Sequence, residues 1–242
     1  MKTVMVVYGT RPEGIKVAPI IHELNNSTTL RPLVVSTGQH RQMLEQVNEL
    51  FGIKPDFDLD IFEHSQGLNQ IAAKIFVRLD PVLTQHKPDA LLVQGDTSTV
   101  TIASIAAFYA GIPVVHLEAG LRSGDLFSPF PEEANRKLTS QISSLHLAPT
   151  SLSKENLIRE GIADADVTIT GNTVIDALLY AVNTDVEITS PELKEALDSG
   201  KRILLVTSHR RENLGKPMHD IGKALREISI AYPDDLIVFP IH

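Results

Sequence analysis

No cysteine occurs among the 242 residues. Disulfides, thiolate nucleophiles and cysteine-ligated zinc are therefore excluded. Positive charge is also in short supply: 22 Lys and Arg stand against 30 Asp and Glu, a formal net charge of −8. A general nucleic-acid or anionic-membrane binder needs a cationic footprint, so neither partner is expected and only local basic sites remain. No apolar run reaches the ~20 residues of a transmembrane helix. The opening MKTVMVVYG is interrupted by Gly9 and Arg11 before it could form a signal core. It reads as a first strand, and the cytoplasm is the expected compartment. There is no internal repeat at solenoid periods and no low-complexity tract. A complete G-x-G-x-x-G or Walker sequence, G-x-S-x-G, H-E-x-x-H and histidine pairs at metal-ligand spacing are missing too. No metal and no cofactor are expected.

What is present is alternation. With 43% hydrophobic and 21% charged residues, the chain can bury a core. Apolar runs at 3–8, 32–37, 57–61, 90–96, 113–118, 145–148 and 167–170 read as strands. Helical periodicities fall between them at 12–25, 41–51, 68–85, 98–109, 132–143 and 152–160, with Pro81 placed to kink or split the third. Strands such as ALLVQGD and PVVHLEAG are apolar on consecutive positions, which calls for burial on both faces. The fold class expected is α/β, a doubly wound parallel sheet, over residues 1–171. Residues 172–189 read as a helix and polar connector. A second cycle follows over 190–242: Ser190 as a cap with Pro191 behind it, strand 201–209, helix 217–232 and strand 235–242. Two strands and one intact helix cannot cover both faces of a sheet, so this second domain is expected to be incomplete.

In a doubly wound sheet, ligands sit beyond the carboxyl ends of the strands where strand order reverses. VVYGTRPEGIK places Gly9, Arg11 and Lys16 at such an end, where a helix start favours anions and a diphosphate would fit. Taken alone, the pattern slightly favours an ordinary turn with two solvated cations. Asp96, in QGDTST, closes the fourth strand and is open to a plain reading as a helix cap. Glu118, in HLEAG, is harder to read that way. If strands one, four and five are neighbours, Arg11, Asp96 and Glu118 open into one crevice, and mutual repulsion there could hold one carboxyl group protonated. Glu132, Glu133 and Arg136 begin a helix after two prolines; spacing alone favours simple helix-end chemistry. His209, Arg210 and Arg211 end the first strand of the second unit, an anion-site candidate facing an interdomain cleft.

GTRPEGIK, QHRQML, QGDTST, HLEAGLRSGD, PFPEEANR, ITGNTVIDAL and TSHRREN stand in the order, and at about the spacing, of the non-hydrolysing UDP-N-acetylglucosamine 2-epimerases. The chain resembles that family over essentially its whole length. The resemblance implies a GT-B arrangement, two Rossmann-like domains with a nucleotide sugar between them. It implies interconversion of UDP-GlcNAc and UDP-ManNAc by elimination and re-addition of UDP, in a cytoplasmic homodimer. By motif, the implied catalytic set is Asp96, Glu118, Glu132 and His209, and the implied substrate-binding set is Arg11, Lys16, Arg136 and Arg210, with His209 meeting the UDP portion. Gln42, Gln46, Arg210 and His242 match, more loosely, a second substrate site that regulates some members. The alternatives are a relative that only binds nucleotide sugar and a GT-B glycosyltransferase; three carboxylate blocks favour the epimerase. Two departures stand out. Gly14 replaces the usual alanine, and members continue well past VFPIH into the part that grips uridine, so this polypeptide is expected to bind UDP poorly.

Overall fold

The computed structural model describes residues 1–38, 41–63, 66–184, 188–208 and 215–240, without the side chains of Arg41 and Gln42. The chain divides into two compact units, Met1–Thr184 and Asp185–His242.

The first unit runs β1 (Lys2–Tyr8), α1 (Arg11–Asn26), β2 (Leu30–Ser36), α2 (Arg41–Leu50), β3 (Phe57–Asp58), α3 (Leu68–His86), β4 (Ala90–Gln94) and α4 (Ser98–Tyr109). It continues through β5 (Val114–Leu117), α5 (Glu132–Ile142), β6 (Leu145–Ala148), α6 (Ser151–Arg159), β7 (Val167–Ile169) and α7 (Val174–Asn183). The sheet order is β3-β2-β1-β4-β5-β6-β7, and every pair is parallel. This is the doubly wound, Rossmann-like sheet, and its order reverses at β1, with β4 alongside.

The consecutive apolar positions have the cause expected of them. Met5 and Val7 of β1 enter one core layer with Leu79, Leu83, Leu91 and Val100. Val6 and Tyr8 enter the other with Val17, Ile21, Val47 and Leu92. A strand buried on both faces loses water from every side chain, at about 1.5–3 kcal/mol for each large aliphatic residue. That burial fixes the register of β1 and so places the residues that follow it.

Five strands stop short of their apolar runs, β2 and β7 by a single residue each. β3 ends at Asp58 rather than 61, because the Asp58 carboxylate accepts from Asp60 N at 2.9 Å and Asp60 turns to φ +46. β4 ends at Gln94, two residues before Asp96, and β5 at Leu117, immediately before Glu118. Pro81 does not split α3, which is continuous from Leu68 to His86. Ile75, Leu79, Val82 and Leu83 are buried on both sides of it, enough to offset the ~3 kcal/mol of an interior proline. Pro19 is likewise absorbed within α1.

The second unit holds α8 (Pro191–Asp198), β8 (Ile203–Leu205), α9 (Lys216–Ala231) and β9 (Leu236–Val238), with β8 and β9 parallel. Ser190 Oγ caps α8 by accepting from Leu193 N at 3.2 Å. Both strands are shorter than their apolar runs, and no residue of α9 is buried. Among the described residues, no helix is long and apolar enough to cross a membrane.

Candidate active site

The turn from β1 into α1 is tight because Gly9 leaves no alternative: a Cβ there would stand 2.0 Å from Thr37 Oγ1 and 2.7 Å from Thr99 Oγ1. Thr10 and Glu13 form the T-x-x-E pattern of a capping box. The Glu13 carboxylate accepts from both Gly9 N and Thr10 N at 2.7 Å. Its other oxygen accepts the hydroxyl of Thr97, at the start of α4. Glu13 is 2% exposed; burial pushes its carboxyl above the ordinary range, against the donors that surround it. One side chain thus ties the β1–α1 turn to the β4–α4 turn.

Thr97 also settles the status of Asp96. Thr97 is the N-cap of α4 and accepts from Val100 N at 3.4 Å, so Asp96 is not spent on capping. Asp96 Oδ2 lies 3.1 Å from Arg136 Nη1, and Asn135 Nδ2 donates to the Asp96 carbonyl at 2.8 Å. Burial raises the Asp96 carboxyl, Arg136 lowers it, and Glu132 and Glu118 raise it again. Behind it, fully buried His116 has Nε2 2.7 Å from Gly95 O. Burial pushes this imidazole down to about 4, so it is neutral and donates through Nε2 to a carbonyl that can only accept. That bond holds the turn on which Asp96 stands.

Glu118 leaves β5 with φ +64, a left-handed conformation that costs a non-glycine residue about 1–2 kcal/mol. Lys16 Nζ meets its Oε2 at 2.6 Å, Gln94 Nε2 donates to the same oxygen, and Asn172 Nδ2 donates to Oε1 at 3.3 Å. Three donors and no acceptor complement an ionised carboxylate.

Glu133, named with Glu132 at the start of α5, has a structural task. It accepts from Ser123 N at 3.0 Å and Gly124 N at 3.2 Å. Burial pushes its carboxyl up, but these donors together with Arg136 and Arg122 outweigh that and hold it down. Arg136 Nε sits 3.1 Å from Glu133 Oε2 without the angle of a hydrogen bond, so the contact is ionic. Arg122 pins the same loop to α6 through Glu160, at 2.9 and 2.6 Å.

Lys16, Asp96, Glu118 and Arg136 line one recess of about 160 Å³ together with Glu13, Gln94 and Thr97. That is less than the ~300–1,000 Å³ of a site enclosing a drug-sized ligand, so the recess suits one portion of a larger molecule. Glu132 is half-buried at the start of α5, near enough to raise Asp96. Arg11 is exposed at the first position of α1 and does not line the recess. His209, Arg210 and His242 lie outside the described residues, as does the Gln42 side chain; Gln46 is exposed on α2. Among the described residues, no group of three or more His, Asp or Glu is placed to hold a metal ion.

Residues 22–242 match the family model described as UDP-N-acetylglucosamine 2-epimerase. The chain belongs to the UDP-N-acetylglucosamine 2-epimerase family. It is 48% identical to the UDP-N-acetylglucosamine 2-epimerase of Escherichia coli K12 over 99% of its own length and 65% of that protein's. It is similar to the crystal structure of the Neisseria meningitidis UDP-GlcNAc 2-epimerase bound to UDP-GlcNAc, at 47% identity and TM-score 0.87, covering 99% of this chain and 66% of that one. The S. aureus MnaA–UDP co-structure matches at 44% identity and TM-score 0.86, over 100% of this chain and 63% of that one. The chain therefore spans about 65% of the length of the curated relatives it matches.

Within this epimerase-family chain, sequence reasoning missed Glu13, Gln94, His116 and Asn172 as parts of the site. Glu13 carried a signal, the T-x-x-E box. Gln94 and His116 were hidden inside strands. Asn172 lies 54 residues from its partner Glu118, and no local pattern announces such a contact.

Proposed function

We propose that this chain carries the acid–base site of an enzyme that interconverts UDP-N-acetylglucosamine and UDP-N-acetylmannosamine. The observation that carries the reading is the convergence of Asp96 and Glu118 in one recess, each with its own cation. The C2 hydrogen of the sugar lies beside no carbonyl, so direct deprotonation is out of reach. The route runs through departure of UDP. A carboxylate takes the C2 proton as the C1–O bond breaks, the electrons of that bond leave with UDP, and a C1–C2 double bond forms. Re-addition reverses this: a UDP oxygen attacks C1 and a carboxyl group delivers a proton to the other face of C2, inverting it. The reaction asks for two carboxyl groups in different protonation states around one carbon.

Glu118, surrounded by donors, suits the base, and Asp96, raised by burial and neighbouring carboxylates, suits the acid. Glu132 supports Asp96 in the protonated form, and Arg136 orients it. Arg11 and the positive end of α1 meet the pyrophosphate, with Lys16 shared between that charge and Glu118. His209 and Arg210 join the UDP contacts by the family resemblance. The UDP-GlcNAc in the Neisseria structure and the UDP in the S. aureus one support the ligand class. A cytoplasmic homodimer is part of the same proposal. Asp96→Asn and Glu118→Gln are each expected to slow epimerisation by about 10²–10⁴-fold, measured by separating the two UDP-sugars over time. Turnover retained in both variants would remove the assignment.

A further inference from the structure

We infer that Asn172 and Thr173, in the GNT turn between β7 and α7, are positioning residues that grip the Lys16–Glu118 pair from its two ends. The inference rests on Glu118 being a reacting carboxylate.

Thr173 occupies the N-cap position of α7, yet its side chain makes no cap bond. Its hydroxyl donates instead to the Lys16 carbonyl at 2.6 Å, 157 residues away in sequence. That carbonyl lies in α1 just ahead of Pro19, which has no N–H to give to Ile15 O. Asn172 does the work at the other end. Its Oδ1 accepts from Val174 N at 3.1 Å, which leaves the amide nitrogen as the group facing Glu118 and fixes it as the donor to Oε1. Lys16 and Gln94 hold Oε2. The carboxylate is thereby held through both oxygens, with its left-handed backbone behind it.

A tie that served only to dock α7 on α1 could fall anywhere along either helix. Both ties of this turn fall on the two residues of one ion pair, one on the Lys16 main chain and one on the Glu118 carboxylate. The consequence is mechanical: the end of β7, anchored by Thr170 N to Ala148 O at 2.9 Å, sets where the Glu118 carboxylate points.

The test is the exchange rate of the Lys16 ammonium protons with water, read in ¹H–¹⁵N spectra of the chain without nucleotide sugar. The cross-peak is assigned by its loss in Lys16→Arg. A slowly exchanging signal is expected for the unaltered chain. Asn172→Ala should speed exchange by about tenfold, the loss of one hydrogen bond to a charged group, and Thr173→Val by about fivefold, the loss of a neutral one to the Lys16 main chain. Thr173→Ser, which keeps the hydroxyl, should exchange at the original rate. If one of the two damaging variants fails to fold, the other carries the test. Absence of a protected signal in the unaltered chain, or unchanged exchange in the damaging variants, overturns the inference. No substrate is present, so this result stands or falls apart from the epimerase reading, which is judged by chemistry at the sugar.

Discussion

At the residue scale, buried groups hold the turns that carry Asp96 and Glu118 in place. Glu13 serves two backbone N–H groups and a hydroxyl. Glu13→Ala should leave both N–H groups buried without an acceptor and cost about 2–4 kcal/mol in denaturant unfolding. Glu13→Gln keeps an oxygen for them and should cost less than half as much. His116 makes a pH-dependent prediction. Its folded value, about 4, lies below the unfolded 6.5, so the unfolded chain takes up the proton first. Stability should fall as pH drops below 6.5, by about 1.4 kcal/mol per pH unit from this residue, and level off near 4. His116→Gln should flatten that slope by the same amount in denaturant midpoints taken across the range. Buried His146, the register partner of His116 on β6, is also held below its ordinary value and adds to the slope in the same direction.

At the scale of elements, apolar periodicity located every strand and α-helix of the first unit, because burial on both faces of a parallel sheet writes itself into consecutive residues; the short 3-10 turn at Asp164–Asp166, with no buried residue, left no such trace. Strand ends were less legible. Glu118 looked like part of β5 and is instead the residue that turns out of it at φ +64; side-chain chemistry beyond the strand decides this, not propensity. Prolines misled in the other direction. Pro81 is exposed on α3 while its neighbours on the helix are buried, so the helix endures it. Pro81→Ala should therefore raise stability by about 1–3 kcal/mol, seen as a higher thermal midpoint of the first unit.

At the scale of the whole molecule, the crevice was legible from topology for Asp96 and Glu118, while Arg11, expected with them, does not line it. Adjacency of β1, β4 and β5 brings together carboxylates that stand far apart in the chain, as the commonest doubly wound strand order does. The Asp96–Arg136 and Lys16–Glu118 pairings were not legible, since spacing says which strand end a residue occupies but not which cation it meets. The central claim is that this recess removes and returns one proton at C2 of a UDP-linked hexosamine. Incubation with UDP-GlcNAc in heavy water tests it most directly. Deuterium at C2 of both UDP-GlcNAc and UDP-ManNAc is the predicted result. UDP-ManNAc that forms with protium retained at C2 would contradict it.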